Sequence, residues 1–183
     1  AGISNFLNHS MVNKLLIQKN ESVKNLPKSV INLYGLESKI SKNPYVEKAV
    51  VFLTIQGTLK TMVKQRTPIV RIIQDEDVYY VDKQGVKVPL SENYSARVLL
   101  VSGVKNDAEI KEIMPLISVI LADNFLEKEI VGVEKLHNGD VQLAVRSGDY
   151  KIDFGAISEI EPKFRKLKAF YNNTFSDKKI QNY

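Results

Sequence analysis

The sequence predicts an α+β protein in which helices lead and short strands follow. Two segments near the N-terminus place apolar residues at helical spacing, and a β-rich stretch with a Gln-Gly turn signal comes directly after them. Further along, short apolar runs alternate with glycine-containing turns and are interrupted by two helical segments. The spacing of the apolar residues changes near residue 73, so we predict two domains, residues 1–73 and residues 74–183.

Two short helices are predicted in the first domain, after a strand at residues 3–7. Ser10 is expected to cap a helix over residues 11–18, because its hydroxyl accepts a hydrogen bond from a free N–H of the first turn. Asn32 is expected to cap a second helix in the same way. Asn43-Pro44 should end that helix, since proline disfavours helical backbone in the residue before it.

A β-hairpin completes the predicted first domain. Its strands are placed at residues 50–55 and 58–73, on either side of Gln56-Gly57. The acidic run Asp75-Glu76-Asp77 then predicts a polar turn before the second domain.

The second domain is predicted to contain six short strands and two helices. The strands are expected at residues 78–81, 86–88, 96–101, 130–136, 141–145 and 150–154. The helices are expected at residues 107–121 and 158–175, each with apolar residues along one face. Pro115 should be tolerated only near the start of its helix or at a kink. The aromatic residues of these elements are expected to pack in the core: Tyr79, Tyr80, Tyr150, Phe154, Phe164, Phe170 and Tyr171.

The residue types predict no reaction centre. The chain has no cysteine, which excludes a disulfide framework, a thiolate metal site and a cysteine nucleophile. Neither His9 nor His137 has a neighbouring pattern that would orient a general base. No metal-ligand spacing and no phosphate-binding loop occurs, and an enzyme acting on the cell wall would need paired acids or a metal site. We therefore predict no catalytic, cofactor or metal residues, and a protein that acts by binding.

The charge pattern does not favour nucleic acid as a partner. The net charge is +5, and lysine and arginine residues are interleaved with 21 acidic residues along the chain. The one dense basic group, at residues 163–168, is predicted to be a solvated helix face. No apolar run reaches the roughly 20 residues that span a bilayer. Sheet edges are then the expected functional surface, because an edge strand offers unpaired backbone groups to an incoming chain.

Several short motifs follow one another along the chain. They are Asn43-Pro44-Tyr45-Val46, Gly57-Thr58-Leu59, Gln65-Arg66-Thr67-Pro68-Ile69-Val70, Tyr80-Val81-Asp82-Lys83-Gln84-Gly85, Leu99-Leu100-Val101-Ser102-Gly103, Gly139-Asp140 with Leu143, and Ile152-Asp153-Phe154-Gly155. In this order, over nearly the whole chain, they resemble the FtsQ/DivIB family of bacterial cell-division proteins. Gln65 departs from the acidic residue that is usual there, and no Trp-Pro precedes Thr58. The composition is similar to that of Bacteroidetes members.

The resemblance implies a POTRA domain (β-α-α-β-β) over residues 1–73, followed by a mixed or antiparallel β-domain with two helices over residues 74–183. It implies a single-pass inner-membrane protein whose N-terminal anchor is absent from this sequence and whose domains face the periplasm. The implied function is that of a non-enzymatic divisome scaffold without cofactors. Its implied partners are the FtsB and FtsL proteins and the septal peptidoglycan synthases.

The resemblance also implies a partner site. In the family, FtsB adds a strand beside the last strand of the β-domain, and that strand is expected to begin at or after Tyr183. The C-terminal strand is therefore expected to be missing here, and the tail to lead into it. Ile180 and Tyr183 are assigned to the partner-binding approach.

An alternative is a POTRA module of an outer-membrane assembly or secretion protein that binds client polypeptides. A second helix-helix-hairpin unit after residue 73 would favour it. The sequence predicts strands and helices in another order there.

Overall fold

The protein has a mixed α+β architecture, as predicted. The computed structural model describes residues 6–16 and 31–180, with side chains up to residue 173. Most of the strand predicted at residues 3–7 lies outside the described residues. The helices of the described part are α1 His9–Leu15, α2 Leu33–Ser41, α3 Asp107–Ala122, α4 Asn124–Glu129 and α5 Ile160–Ile180. Its strands are β1 Val46–Leu53, β2 Leu59–Gln65, β3 Pro68–Gln74, β4 Asp77–Asp82, β5 Lys87–Pro89, β6 Leu99–Ser102, β7 Ile130–Lys135, β8 Val141–Val145 and β9 Lys151–Gly155.

The chain forms two compact units. Unit 1 comprises Ala1–Arg71 and Val78–Val98, and unit 2 comprises Ile72–Asp77 and Leu99–Tyr183. Unit 1 contains the antiparallel β1–β2 sheet and, in the second sheet, the strands β5, β4 and the first part of β3. Unit 2 contains the last residues of β3, followed in the sheet by β6, β7, β8 and β9. The units are defined by compactness, so the division into sequence domains at residue 73 stays a prediction.

Two helices cover one face of the β1–β2 sheet in unit 1. Asn32 caps α2 as predicted, and its side chain accepts a hydrogen bond from the Gly35 N–H at 2.8 Å. The cap predicted for α1 is wrong, because Asn8 rather than Ser10 accepts from the Met11 N–H and the helix starts at His9. The buried core of this layer contains Leu7, Leu36, Ile40, Val46, Ala49 and Val51.

The strand predicted at residues 58–73 is two strands. β2 ends at Gln65, and β3 begins at Pro68 after the corner formed by Arg66 and Thr67. Proline lacks an N–H to donate to a sheet, so it is tolerated as the first residue of a strand and not inside one. The chain therefore leaves the β1–β2 sheet at this corner.

The side-chain amide of Gln65 holds the backbone of Leu7. Gln65 Nε2 donates to the Leu7 carbonyl at 2.8 Å, and the Leu7 N–H donates to Gln65 Oε1 at 2.9 Å. An amide carries one donor and one acceptor site on neighbouring atoms, as a peptide group does. A carboxylate can only accept, so glutamine suits this position better than the acidic residue usual in the family.

Asp82 is a buried carboxylate at the end of β4. It is 3% exposed, and its Oδ1 accepts from the Gln84 and Val86 N–H groups, both at 2.9 Å. Its Oδ2 accepts from Arg66 Nη1 at 2.8 Å. The carboxylate thus closes the β4–β5 turn and ties it to the corner between β2 and β3.

Unit 2 is built around a crossover and a meander. β6 and β7 are parallel and are joined by α3 and α4, while β7, β8 and β9 are successively antiparallel. Gly103, just after β6, has a φ of 76°, and a Cβ there would lie 2.0 Å from the Lys135 carbonyl oxygen. Only glycine fits this close approach, because it has no Cβ.

One helix prediction for this part is wrong. Among the described residues after residue 74 there are three helices instead of two, because Asp123 starts the short helix α4 directly after α3. Pro115 lies inside α3, away from its start. It is on the exposed face, where water can satisfy the carbonyl of Lys111 that loses its helical partner.

Replacement of Asp82 tests the turn. We expect Asp82→Ala to lower the free energy of unfolding by about 2–4 kcal/mol, because two backbone N–H groups and the Arg66 guanidinium lose their acceptor. Urea unfolding measures this loss. Asp77→Ala, at an exposed position of the same strand, is the control and should stay within about 0.5 kcal/mol of the wild type.

Gln65→Glu tests the amide pair. At neutral pH we expect a loss of about 1–2 kcal/mol, because the Leu7 carbonyl loses its donor and faces a carboxylate. The introduced carboxyl should have a raised pKa in the folded state, since its protonated form can donate. Stability is then regained below its unfolded pKa of about 4.3 and lost as the pH rises through the folded value. Urea titrations from pH 4 to 7 check this, and the exposed Gln56→Glu should show no such recovery.

Candidate partner-binding edge

Of the two end strands of the seven-stranded order in the described residues, β9 is the longer. The order of hydrogen-bonded strands runs from β5 to β9, so these two strands are its ends within the described residues. β5 has three residues and finishes with Pro89, whereas β9 has five. A short edge that ends in proline is a poor template for a further strand. The β9 edge is therefore the better candidate surface.

Polar side chains form a ladder along one face at this edge. The register pairs Glu134 of β7 with Gln142 of β8, and Gln142 with Asp153 of β9. Gln142 Nε2 donates to Asp153 Oδ1 at 2.7 Å, and Lys151 Nζ contacts Glu134 Oε2 at 2.6 Å. Charged side chains on an edge strand discourage unselective pairing. A strand that pairs with β9 must accommodate one positive and one negative side chain.

The other face of β9 is anchored under α5. Phe154 is buried, and its ring centroid lies 5.1 Å from that of Phe164. Lys163 lies 4.7 Å above the Phe154 ring, and its Nζ donates to the Ala156 carbonyl at 2.6 Å. These contacts fix the start of α5 on the strand and hold the edge in place.

Asp123 joins α4 to α5. Its carboxylate accepts from the Phe125 and Leu126 N–H groups at 3.0 and 3.1 Å and also binds Lys168. The hydrogen bond from Lys168, followed by that from the Leu126 N–H, holds the pKa of the Asp123 carboxyl below its usual value. The basic group at residues 163–168 is thus only partly the solvated face that was predicted, because Lys163 and Lys168 bind the body of unit 2 while Arg165 and Lys166 are exposed.

A second polar cluster surrounds Tyr171 of α5. Its hydroxyl donates to Glu129 Oε1 at 3.0 Å and lies 2.7 Å from the Tyr150 hydroxyl. Ser147 Oγ donates to the same carboxylate oxygen. Burial, reinforced by Tyr150 and Glu129, raises the pKa of Tyr171 well above its ordinary value, so this phenol stays protonated and donates. The cluster secures α5 to the start of the β8–β9 turn.

The aromatic core prediction is right for most of its members and wrong for two. Tyr80, Phe154, Phe164 and Tyr171 are buried and Tyr79 is partly buried, whereas Tyr150 is 47% and Phe170 63% exposed. Tyr150 lies in the turn before β9, where its hydroxyl serves the polar cluster. Helical spacing alone placed Phe170 on the inner face together with Tyr171, its immediate neighbour.

The two predicted partner residues lie at the end of the chain. Ile180 is the last residue of α5, and Tyr183 lies outside the described residues. Residues 178 to 180 belong to α5. The assignment of Ile180 and Tyr183 to a partner-binding approach stays a prediction. The β9 edge and its supports were missed as a site. Asp123 followed by Asn124-Phe125 is the sequence signal that could have predicted the cap of α4.

The β9 edge is a candidate for backbone pairing with another strand. No three His, Asp or Glu side chains of the described part converge as metal ligands would. None of the helices in the described ranges combines the length and apolar character needed to cross a bilayer. What β9 presents is one edge of a sheet, supported from behind by α5.

The family model described as FtsQ/DivIB, C-terminal related, matches residues 67–183, which is more than half of the chain. The chain therefore belongs to the FtsQ/DivIB family, and the predicted resemblance is confirmed. Its members are membrane-anchored, non-enzymatic division scaffolds with partners in the divisome, so a role in cell division follows. No curated protein matches the sequence.

The Lys168–Asp123 contact gives a pH prediction. The pKa of Asp123 is lowered in the folded state. The stability that its carboxylate contributes is therefore present above the unfolded pKa of about 3.9 and is lost as the pH falls through the folded pKa. Asp123→Asn keeps a good N-cap but removes the charge. We expect it to reduce the acid sensitivity of thermal unfolding below about pH 4.5. Asp149→Asn, in the exposed turn before β9, makes the same change of charge elsewhere and is the control.

Proposed function

We propose that the protein is a non-enzymatic divisome scaffold that recruits and regulates other division proteins by edge-strand contacts. FtsB- and FtsL-type proteins are its proposed partners, and the septal wall synthesis machinery is recruited through them. The observation that carries this proposal is the β9 edge, which is held by α5 on one face and is the last strand of the order within the described residues. A strand beside β9 would gain backbone hydrogen bonds without disturbing the core.

The domain assignment is part of the same proposal. We assign residues 1–73 to a POTRA domain, supported by the order α1, α2, β1, β2, and residues 74–183 to the β-domain. Both domains are proposed to face the periplasm, behind an inner-membrane anchor. Ile180 and Tyr183 remain proposed contacts, since α5 leads from the β9 edge towards them.

The client-binding alternative has less support. A POTRA array would place a second helix-helix-hairpin unit after residue 73. The element order there is β4, β5, β6, α3, α4, β7, β8, β9, α5, and the family match covers this stretch.

A pair of proline substitutions tests the edge. Lys151→Pro and Lys87→Pro each replace an exposed lysine at the first residue of an end strand, where proline is best tolerated. An FtsB–FtsL extracytoplasmic fragment is titrated onto each variant of the full extracytoplasmic region by calorimetry. We expect Lys151→Pro to weaken binding about tenfold, or about 1.4 kcal/mol, and Lys87→Pro to leave it within about twofold.

Thermal unfolding first establishes that both variants fold. Equal weakening by the two substitutions would place the contact elsewhere. Absence of binding by the wild type would remove FtsB–FtsL as the partner.

A further inference from the structure

The β1–β2 hairpin has an apolar outer face. Ala49 and Val51 point into the core under α1 and α2, so their strand neighbours point outward. We use the name outer hairpin face for the outward residues Lys48, Val50 and Phe52 of β1 and Lys60, Met62 and Lys64 of β2. The outward face of an antiparallel sheet is usually polar when it contacts water. Here its centre is aliphatic and aromatic.

The exposure of these side chains is substantial. Met62 is 64% exposed, and Val50 and Phe52 are each more than one third exposed. Ile55, in the turn that joins the two strands, is 95% exposed. Clustered exposed apolar side chains mark an interaction surface, whereas single ones need no explanation.

Lysines surround the apolar centre. Across the strands, Val50 is opposite Met62, Phe52 is opposite Lys60, and Lys48 is opposite Lys64. None of the six outward positions carries a carboxylate. Lys64 Nζ contacts Glu47 Oε1 at 2.6 Å, which offsets its repulsion with Lys48, so Lys48 and Lys60 are the lysines assigned to an anionic ligand.

The whole of unit 1 is basic. Its sequence contains 14 lysine and arginine residues against 5 acidic ones, a net charge of +9, whereas the chain as a whole is at +5 and unit 2 is therefore at −4. The interleaving of charges along the sequence hides this segregation. Unit 1 thus supplies a long-range attraction for an anionic surface.

We propose that the outer hairpin face docks on an anionic lipid bilayer surface. Its apolar side chains would enter the headgroup region while the flanking lysines contact lipid phosphates, as amphipathic surface elements do. The docking does not depend on the proposed FtsB–FtsL contact, which uses a different strand.

The area of the face favours a membrane over a protein partner. Two strands of eight and seven residues, at about 3.3 Å per residue and about 4.8 Å between strands, present about 250 Å². Stable protein interfaces bury about 800 Å² on each partner. Membrane attraction needs no such area, because each basic residue near an anionic bilayer contributes about 1 kcal/mol.

Other occupants fit the residues less well. A second copy of the chain related by a two-fold axis would bring lysines of one face against lysines of the other. A nucleic acid would favour a platform of aromatic residues, whereas this face has one phenylalanine among aliphatic residues. The family is membrane-anchored, so a bilayer is near and even weak docking would orient unit 1.

Vesicle binding by the 183-residue chain tests the proposal. Co-sedimentation is measured with vesicles of phosphatidylcholine alone and of phosphatidylcholine mixed with phosphatidylglycerol. We expect binding to the mixed vesicles only, and weaker binding as salt screens the lysines. Lys48→Glu/Lys60→Glu should lower the affinity at least about thirtyfold, since two lysines at about 1 kcal/mol each are lost and two repelled carboxylates are added.

The matched control makes the same change of net charge elsewhere. Lys111→Glu/Lys128→Glu alters two exposed lysines of unit 2 and should change the affinity less than about threefold, as the attraction falls off within a Debye length. Met62→Ser should weaken binding at unchanged charge, because an apolar side chain no longer enters the headgroup region.

Several outcomes would overturn the proposal. Equal binding to neutral and mixed vesicles would remove the lysines from the explanation. An equal loss in both double variants would show an effect of net charge alone. Binding of an acidic peptide or an oligonucleotide without vesicle binding would assign the face to that partner class instead.

Discussion

The buried carboxylate of Asp82 is the constraint on which the architecture of unit 1 depends. It stands at the end of β4 and is almost fully withdrawn from water. Such a charge is tolerated only when its lone pairs are satisfied. Two N–H groups of its own turn and the Arg66 guanidinium do this. Because Arg66 lies at the corner between β2 and β3, one interaction fixes both the β4–β5 hairpin and the point where the chain leaves the β1–β2 sheet.

An aromatic cluster completes what this pair begins. Phe6 is fully buried, and its ring stacks on Tyr45 at 4.9 Å and meets the edge of Tyr94 at the same distance. Arg71 covers the Tyr80 ring and donates to its hydroxyl, and the Ala96 N–H donates there as well. Burial of Tyr80 opposes its ionisation, but hydrogen bonds involving Ser95, Arg71 and Ala96 outweigh this and leave the pKa of Tyr80 below its usual value. The residues just before α1 are thereby held against β4.

Local pattern was sufficient for several elements whose determinants are local, although it misplaced the cap of α1 and missed α4. The Asn32 cap, the β4–β5 hairpin and the β8–β9 alternation each depend on residues a few positions apart, and sequence predicted them. The contact that ties the corner between β2 and β3 to the β4–β5 turn joins Arg66 to a carboxylate 16 residues away, and the role of Gln65 depends on a backbone 58 residues away. The resemblance to the family showed only that Gln65 departs from the usual acidic residue. The structure supplies the reason, because the backbone of Leu7 needs a donor and an acceptor at the same place.

The two candidate surfaces differ in physical kind, which lets one chain serve two contacts. The β9 edge offers directional backbone groups bordered by one lysine and one aspartate, so it selects a strand by register and side-chain charge. The outer hairpin face offers lysines around an apolar centre. Binding to it would depend little on the detailed shape of the ligand and strongly on charge density and salt. The net charges of +9 for unit 1 and −4 for unit 2 follow the same division. An anionic bilayer would therefore attract unit 1 and repel unit 2.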